Sequence, residues 1–113
     1  MILGRGDMHW IEFPVSSARE QAGRRPAIIV QADTAPSLPT VFVFPLTSNP
    51  HASRFPGTFE VEASSSSGLH ARSVVLSFQL RAIDRNRVGE RLGSLDPRDL
   101  TSLDAHLRSL LSL

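Results

Sequence analysis

The chain has 113 residues, no cysteine and a formal net charge of +1 at pH 7. This length predicts one domain, residues 1–113, with one modest core. The lack of cysteine excludes disulfides and thiolate chemistry, and no apolar run resembles a signal peptide or a membrane span, so we expect a cytoplasmic protein. All twelve basic residues are arginine, and affinity for an anionic partner must therefore come from a local basic patch.

Three strands are predicted in the first half of the chain, at 8–13, 27–31 and 41–46. The third is nearly all apolar, which indicates a central position in a sheet. Pro26 precedes the second strand, lacks an N–H and favours an extended backbone at Arg25. We therefore expect Arg25 at the entrance of that strand.

The second half of the chain begins with an alternating segment at 58–63, which predicts a strand with Phe59, Val61 and Ala63 facing the core. A run of serines at 64–67 is expected to be a mobile loop. The segment 73–83 predicts one long strand, or two strands with a bend near Gln79. A short helical turn is predicted around 86–91.

The last predicted element is a helix. Asp96 is a favourable N-cap, Pro97 suits the first helical position, and Asp99 adds negative charge to the first turn. Leucines then recur at helical spacing, at positions 100, 103, 107, 110 and 111. Strands followed by a terminal amphipathic helix predict an α+β fold, mainly β, in which the helix covers a small curved sheet or barrel.

Two residues at the ends of apolar strands are suited to binding a phosphodiester. Arg25 offers a forked guanidinium and Thr47 a hydroxyl. The alternatives are a solvated surface arginine and a threonine that bonds its own turn. Glu20 is a candidate general base, or it forms an ion pair with Arg24 or Arg25.

Five motifs in order resemble those of the MazF/PemK toxins, the sequence-selective mRNA interferases of bacterial toxin–antitoxin pairs. They are Arg5-Gly6-Asp7 before a strand with Trp10, residues 20–26 before an apolar strand, Pro45-Leu46-Thr47-Ser48, Gly68-Leu69 leading to Ser73-Val74-Val75, and residues 79–84 with Arg87 followed by Gly93-Ser94-Leu95. The resemblance covers nearly the whole chain. It implies an SH3-like (PemK/CcdB-like) barrel with a C-terminal helix, working as a homodimer.

The resemblance also implies an activity. The expected reaction is metal-independent cleavage of single-stranded mRNA by 2′-hydroxyl attack, leaving a 2′,3′-cyclic phosphate (or 3′-phosphate) and a 5′-hydroxyl, which inhibits translation and growth. No cofactor is expected. The expected partners are RNA and a cognate MazE-like antitoxin with an acidic C-terminal segment, in a toxin–antitoxin complex that binds DNA.

By the same resemblance, the catalytic residues are Arg25, Thr47 and Glu20. The expected RNA-binding residues, which lie on predicted loops and strand ends, are Arg19, Gln21, Arg24, Ser48, Asn49, Arg54, Phe55 and Arg72. No metal site is expected, because no cluster has metal-ligand spacing.

The chain departs from the family pattern at three positions. Arg19 stands where members often carry serine or histidine. Leu76 and Phe78 stand where some members of the PemK branch carry a catalytic arginine and aspartate, so that version of the site cannot operate here. The histidines at 51 and 70 fall in predicted loops, and a ribonuclease mechanism with two histidines would also need no metal. No spacing pairs them, so we favour the interpretation that they are solvated.

Two other functions are compatible with this fold. A CcdB-like toxin would bind DNA gyrase without catalysis, but such toxins rely on a tryptophan-glycine-isoleucine tail, and this chain ends Leu111-Ser112-Leu113. An RNA-binding module kept for antitoxin pairing is the other alternative. The presence of both Arg25 and Thr47 argues against loss of activity.

Overall fold

The computed structural model describes residues 2–14, 23–32 and 38–113, and in these residues seven strands and one α-helix form a mainly β fold. The elements are β1 (Asp7–Phe13), β2 (Gly23–Ile29), β3 (Thr40–Thr47), β4 (Thr58–Val61), β5 (Ser73–Leu76), β6 (Arg81–Asp84), β7 (Val88–Ser94) and α1 (Pro97–Leu111). Short 3₁₀ helices lie at Pro50–Arg54, Ser77–Gln79 and Arg85–Arg87. The predicted α+β, mainly β class is confirmed.

Strand β3 is central, as its apolar sequence predicted. The sheet order is β4-β5-β3-β2-β1-β7, all pairs antiparallel, and β6 also pairs with β3. One edge of β3 therefore carries two partners, β6 at its start and β5 at its end. The 3₁₀ helix Ser77–Gln79 separates these partners, which confirms two strands with a bend near Gln79.

Two apolar clusters lie on opposite faces of the strands. One contains Met8, Ile28 and Phe44, and α1 packs against it through Leu103, with Leu100 and Leu107 at its margin. The other includes Ile11, Phe13, Ala27, Ile29, Val41 and Val43. Because β2 and β3 contribute to both, the segments 27–29 of β2 and 41–46 of β3 are apolar at every position, a pattern typical of strands covered on both faces.

The predicted start of the C-terminal helix is confirmed. The Asp96 carboxylate accepts a hydrogen bond from the Asp99 N–H at 2.8 Å, and Pro97 occupies the first turn. The helix ends at Leu111, and the C-cap residue Ser112 has a left-handed φ of 57°. None of the helices in the described ranges is long and apolar enough to cross a membrane.

Three details of the sequence prediction are wrong. Strand β2 begins at Gly23, so Arg25 lies within the strand, opposite Ile11, and not at its entrance. Ala63 lies beyond β4 and is exposed. Only Arg85–Arg87 is helical in the region predicted as a helical turn, and β7 follows at once. The sequence of β7 is rich in glycine and charge, and β-bulges in its pairing with β1 break the alternation that would have revealed it.

The serine run at 64–67 forms a hydrogen-bonded turn. The Ser67 hydroxyl accepts from the Ser64 and Leu69 N–H groups at 3.1 and 3.2 Å, and it donates to the Glu62 carbonyl at 2.9 Å. The Ser94 N–H donates to the Ser66 carbonyl at 2.9 Å, which joins the turn to β7. The segment that follows the turn is thus anchored to the sheet.

Gly93 should be essential to this junction. A Cβ at Gly93 would lie 2.5 Å from the Ser67 carbonyl carbon and closer still to the Ser66 oxygen. We expect Gly93→Ala to lower the free energy of unfolding by about 1–3 kcal/mol, as overpacking does. Urea denaturation measures this. Gly89→Ala is the matched control, because its Cβ would meet its nearest atom, the Trp10 carbonyl oxygen, at 3.2 Å. Equal losses in both variants would contradict the expectation.

Asp99 should make stability depend on pH. Burial, followed by the nearby Asp96 carboxylate, raises the pKa of Asp99 above its ordinary 3.8. The folded protein then retains a proton that the unfolded chain has lost, so Asp99 reduces stability as pH rises from about 3.8 through the raised pKa.

The variant Asp99→Asn removes this titration. The variant should gain stability relative to the parent over the same pH window, and the gain should level off above it. Urea denaturation from pH 4 to 7 measures the difference, with the exposed Glu90→Gln as control. A difference that stays constant over that range would show that Asp99 is not the titrating group.

Candidate active site

A cavity of about 280 Å³, the arginine cavity, opens where β2 and the end of β3 face the segment between β4 and β5. Its lining comes from five parts of the chain. The lining residues are Trp10, Arg24, Arg25, Pro26, Leu46, Thr47, Ser48, Gly68, Leu69, His70, Ala71, Ser73 and Leu92. Among these residues none is acidic, and two are arginines, so the cavity is suited to an anion.

The two arginines reach the cavity from adjacent positions on β2. The Arg24 guanidinium carbon lies 4.4 Å from the centre of the Trp10 ring, a cation–π contact that orients it. Arg25 is half-buried and precedes Pro26, which pairs with Trp10 across the β1–β2 ladder. A fork of N–H donors on a strand is well placed for two phosphate oxygens.

Thr47 is the last residue of β3 and is 9% exposed. Its hydroxyl oxygen accepts a hydrogen bond from the Asn49 N–H at 3.2 Å, and the Asn49 side chain in turn accepts from the His51 N–H at 3.0 Å. The turn contact considered as the alternative role of Thr47 is therefore present. Because that contact uses the oxygen as acceptor, the hydroxyl proton can still be donated to a bound group.

A second cavity of about 170 Å³, the phenylalanine cavity, shares Thr47 with the first. It is lined by Thr47, Asn49, His51, Ala52, Arg54, Phe55, Leu76, Phe78 and Gln79. The Phe55 and Phe78 ring centres are 5.6 Å apart, and the Arg54 guanidinium carbon lies 4.7 Å from the Phe55 ring centre. Phe55 and Phe78 are 43% and 40% exposed, unusual values for phenylalanines that pack on each other.

Most of the predicted site residues meet at these cavities. Arg24, Arg25, Thr47 and Ser48 line the arginine cavity, while Asn49, Arg54 and Phe55 line the phenylalanine cavity. The predicted residues Arg19, Glu20 and Gln21 lie outside the described residues.

Arg72 is not brought to either cavity. Its guanidinium forms ion pairs with Glu60 and Glu62 next to β4, the second at 3.1 Å. The prediction placed Arg72 among the RNA contacts because it lies on the predicted loop at 64–72. Glu60 belongs to β4, twelve residues earlier in the chain, and Glu62 directly follows that strand, so the sequence does not show this pairing.

His70 and Phe78 line the cavities but were not among the predicted site residues. His70 was interpreted as a solvated loop histidine, and Phe78 was noted only for replacing an aspartate. Leu76, the other departure from the PemK branch, is buried at 2% exposure. A signal existed for Phe78, since it is a large apolar residue between polar neighbours at a predicted bend. For His70 the signal was its position directly after Gly68-Leu69.

The described residues contain no group of three or more histidine, cysteine, aspartate or glutamate side chains that could bind a metal ion.

Comparisons with known proteins point to one family. Residues 4–111 match the family described as PemK-like, MazF-like toxin of type II toxin–antitoxin system. The chain is 30% identical over 114 residues to Endoribonuclease EndoA of Bacillus subtilis (strain 168), covering 100% of this chain and 97% of EndoA.

Solved structures agree. MazF from Deinococcus radiodurans has a TM-score of 0.80 and 28% identity, covering 100% of this chain and 99% of that one. The toxin chain in the MazE–MazF structure from the same organism has a TM-score of 0.75 and 28% identity, covering 100% and 98%. The chain belongs to the PemK-like, MazF-like toxin family of type II toxin–antitoxin systems.

Proposed function

We propose that this protein is an endoribonuclease toxin that cleaves single-stranded mRNA at the arginine cavity and thereby inhibits translation and growth. The observation that carries the proposal is the convergence of Arg24, Arg25 and the Thr47 hydroxyl in one cavity whose lining has no acidic residue in the described chain. The endoribonuclease activity named for EndoA supports it.

The proposed reaction starts with attack of a ribose 2′-hydroxyl on the adjacent phosphorus. The 2′-oxygen–phosphorus bond forms, the bond from phosphorus to the 5′-oxygen breaks, and the products are a 2′,3′-cyclic phosphate and a 5′-hydroxyl. The Arg25 fork stabilises the charge that develops on the nonbridging oxygens, and the Thr47 hydroxyl donates to one of them. Glu20 is the proposed general base. The proposed reaction uses no metal ion.

Sequence selectivity is proposed to come from the phenylalanine cavity. The phenylalanine cavity shares Thr47 with the arginine cavity. An RNA base next to the scissile phosphate would therefore lie close enough to bind in the phenylalanine cavity. Exposed bases of single-stranded RNA stack on aromatic side chains, and the amides of Asn49 and Gln79 are suited to hydrogen bonds with base edges.

The working form is proposed to be a cytoplasmic homodimer. Several large apolar side chains outside the two cavities are exposed, among them Leu38, Phe42, Leu110 and Leu111. Burying them against a second copy would remove apolar surface from water.

Neutralisation is proposed to occur at the same surface, through an acidic antitoxin segment that contacts Arg24, Arg25 and Arg54. Two of these arginines line the arginine cavity and the third lines its neighbour. Such a segment would fold on binding and compete directly with RNA phosphate. The assembly of the related MazF with MazE supports this.

Inhibition by an acidic antitoxin peptide should therefore be competitive with RNA and weaker at high salt. Arg24→Ala should weaken peptide binding by up to about fivefold, as expected for an exposed charge pair. Peptide titrations at two salt concentrations measure this. Arg108→Ala, on the exposed end of α1, is the control. Peptide binding that is unaffected by both salt and Arg24→Ala would place the antitoxin elsewhere.

The proposed function is tested by incubating the purified protein with single-stranded RNA in EDTA and mapping the ends of the fragments. We expect cleavage with 5′-hydroxyl and 2′,3′-cyclic phosphate (or 3′-phosphate) ends, and much slower cleavage by Arg25→Ala. Intact RNA would contradict a metal-independent nuclease. Gyrase inhibition in that case would favour the CcdB-like alternative, and RNA binding alone would favour the RNA-binding module.

A further inference from the structure

The segment that carries His70 is fixed to the wall of the arginine cavity. Gly68 packs on the backbone of Leu92 of β7 so closely that a Cβ there would overlap it, and its φ is +70°. Leu69 is 8% exposed and belongs to the apolar cluster that contains Met8, Ile28 and Phe44. The Leu69 N–H donates to the Ser67 hydroxyl at 3.2 Å. With its two predecessors anchored in this way, the exposed His70 side chain is presented to the cavity.

The arginine cavity needs a group that exchanges a proton near neutral pH. An arginine remains charged in proteins, so Arg24 and Arg25 stabilise charge but do not readily give up a proton. A threonine hydroxyl does not ionise in this range. Among the described residues that line the cavity, His70 alone carries an imidazole, the group that proteins use most often to transfer protons in catalysis.

We propose that His70 is the general acid of this site, an inference that rests on the proposed function. As the 2′-oxygen bonds to phosphorus and its proton passes to the base, the bond between phosphorus and the 5′-oxygen breaks. The electron pair of that bond stays on the 5′-oxygen, which takes a proton from the imidazolium of His70. The imidazole is left neutral and regains its proton from water.

The acid role is assigned to His70 because the other groups of the proposed site leave that role open. Arg24 and Arg25 share the cavity with His70 in the described chain, and their charge disfavours the imidazolium while the cavity is empty. A bound phosphate brings negative charge into the same cavity and offsets that repulsion, so the protonated form is favoured when substrate is present. Glu20 is the proposed base for the 2′-hydroxyl, so the role that remains for His70 is to protonate the leaving 5′-oxygen.

The test uses two RNA oligonucleotides that contain the mapped cut site. One is natural, and in the other sulfur replaces the 5′-oxygen at the cut. A thiolate leaves without being protonated, so the sulfur substrate does not need a general acid. His70→Gln should cleave the natural RNA about 10²-fold more slowly than the parent, within the range for general acid catalysis. It should cleave the sulfur substrate within a few-fold of the parental rate.

Controls separate this proposal from the function on which it rests. His106→Gln, on α1 and outside the cavity, should match the parent on both substrates, and Arg25→Ala should be slow on both. If His70→Gln is equally slow on both substrates, or equally fast, His70 is not the general acid. If the parent cleaves neither substrate, the proposed function itself has failed.

Discussion

Arg25→Ala is expected to reduce the rate of RNA cleavage by about 10²–10³ without unfolding the protein, the usual loss when a preorganised donor to a developing oxyanion is removed. Arg25 is half-buried on β2 and lines the arginine cavity beside the Thr47 hydroxyl. Arg25→Lys should also be slow, because an ammonium group keeps the charge but loses the two parallel donors of the guanidinium.

Thr47→Ala should slow cleavage by about tenfold or more, since one hydrogen bond to the charged transition state is lost. Its contact with the Asn49 N–H would be lost as well, so Thr47→Ser, which retains the hydroxyl, is the variant that isolates the chemistry. Single-turnover cleavage with saturating protein, together with thermal unfolding, measures both effects. Arg108→Ala is the control for loss of an exposed arginine. Near-parental rates in folded Arg25→Ala and Thr47→Ala would remove the arginine cavity as the active site.

Phe78→Ala is expected to weaken RNA binding by about tenfold to a hundredfold, because stacking of one base on an aromatic ring contributes about 1–3 kcal/mol. The ring is 40% exposed and lies against Phe55 in the phenylalanine cavity, so its loss should affect stability little. The effect should appear in KM and not in kcat, since stacking holds ground state and transition state alike.

Steady-state cleavage of a short RNA that contains the mapped cut site measures this split. Phe78→Tyr keeps the aromatic ring and should retain most of the affinity, whereas Phe78→Leu keeps apolar bulk and should not. A change of less than twofold in KM for Phe78→Ala, or equal KM values for the tyrosine and leucine variants, would show that no base stacks there.

The core of the fold could be predicted from sequence because its signals are local. The apolar runs of β2 and β3, the alternation around Val61 and the Asp96-Pro97 start of α1 each depend on a few adjacent residues. Strand β7 could not be predicted, because its seven residues gain their order from pairing with β1 across bulges and not from their own pattern. Strand β2 likewise begins as early as Gly23 because its first residues pair with β1, which their own sequence does not indicate.

The site residues that lie beside apolar strand sequence could be predicted. The site residues that long-range contacts bring to the cavities could not. Arg25 lies just before the apolar part of β2 and Thr47 ends β3, and the structure brings them together at one cavity. His70 reaches that cavity because Gly68 packs on Leu92, more than twenty residues away in sequence. Phe78 reaches the neighbouring cavity because it lies on the 3₁₀ helix Ser77–Gln79, which separates β5 from β6. The local sequence marks His70 and Phe78 only by their neighbours, and it does not show the contacts that bring them to the cavities.

The most direct test of the central claim is to locate bound RNA on the folded protein. An oligonucleotide with the mapped cut site and a single 2′-deoxy nucleotide there lacks the attacking hydroxyl, so it should bind without being cleaved. Titrating it into ¹⁵N-labelled protein should shift the backbone amide signals of residues that line the two cavities, including Thr47, Ser48, Leu69 and Phe78. Signals from the exposed face of α1, such as Ala105, should change little. Shifts confined to α1, or cleavage of the deoxy oligonucleotide at the substituted position, would contradict RNA cleavage by 2′-hydroxyl attack at the arginine cavity.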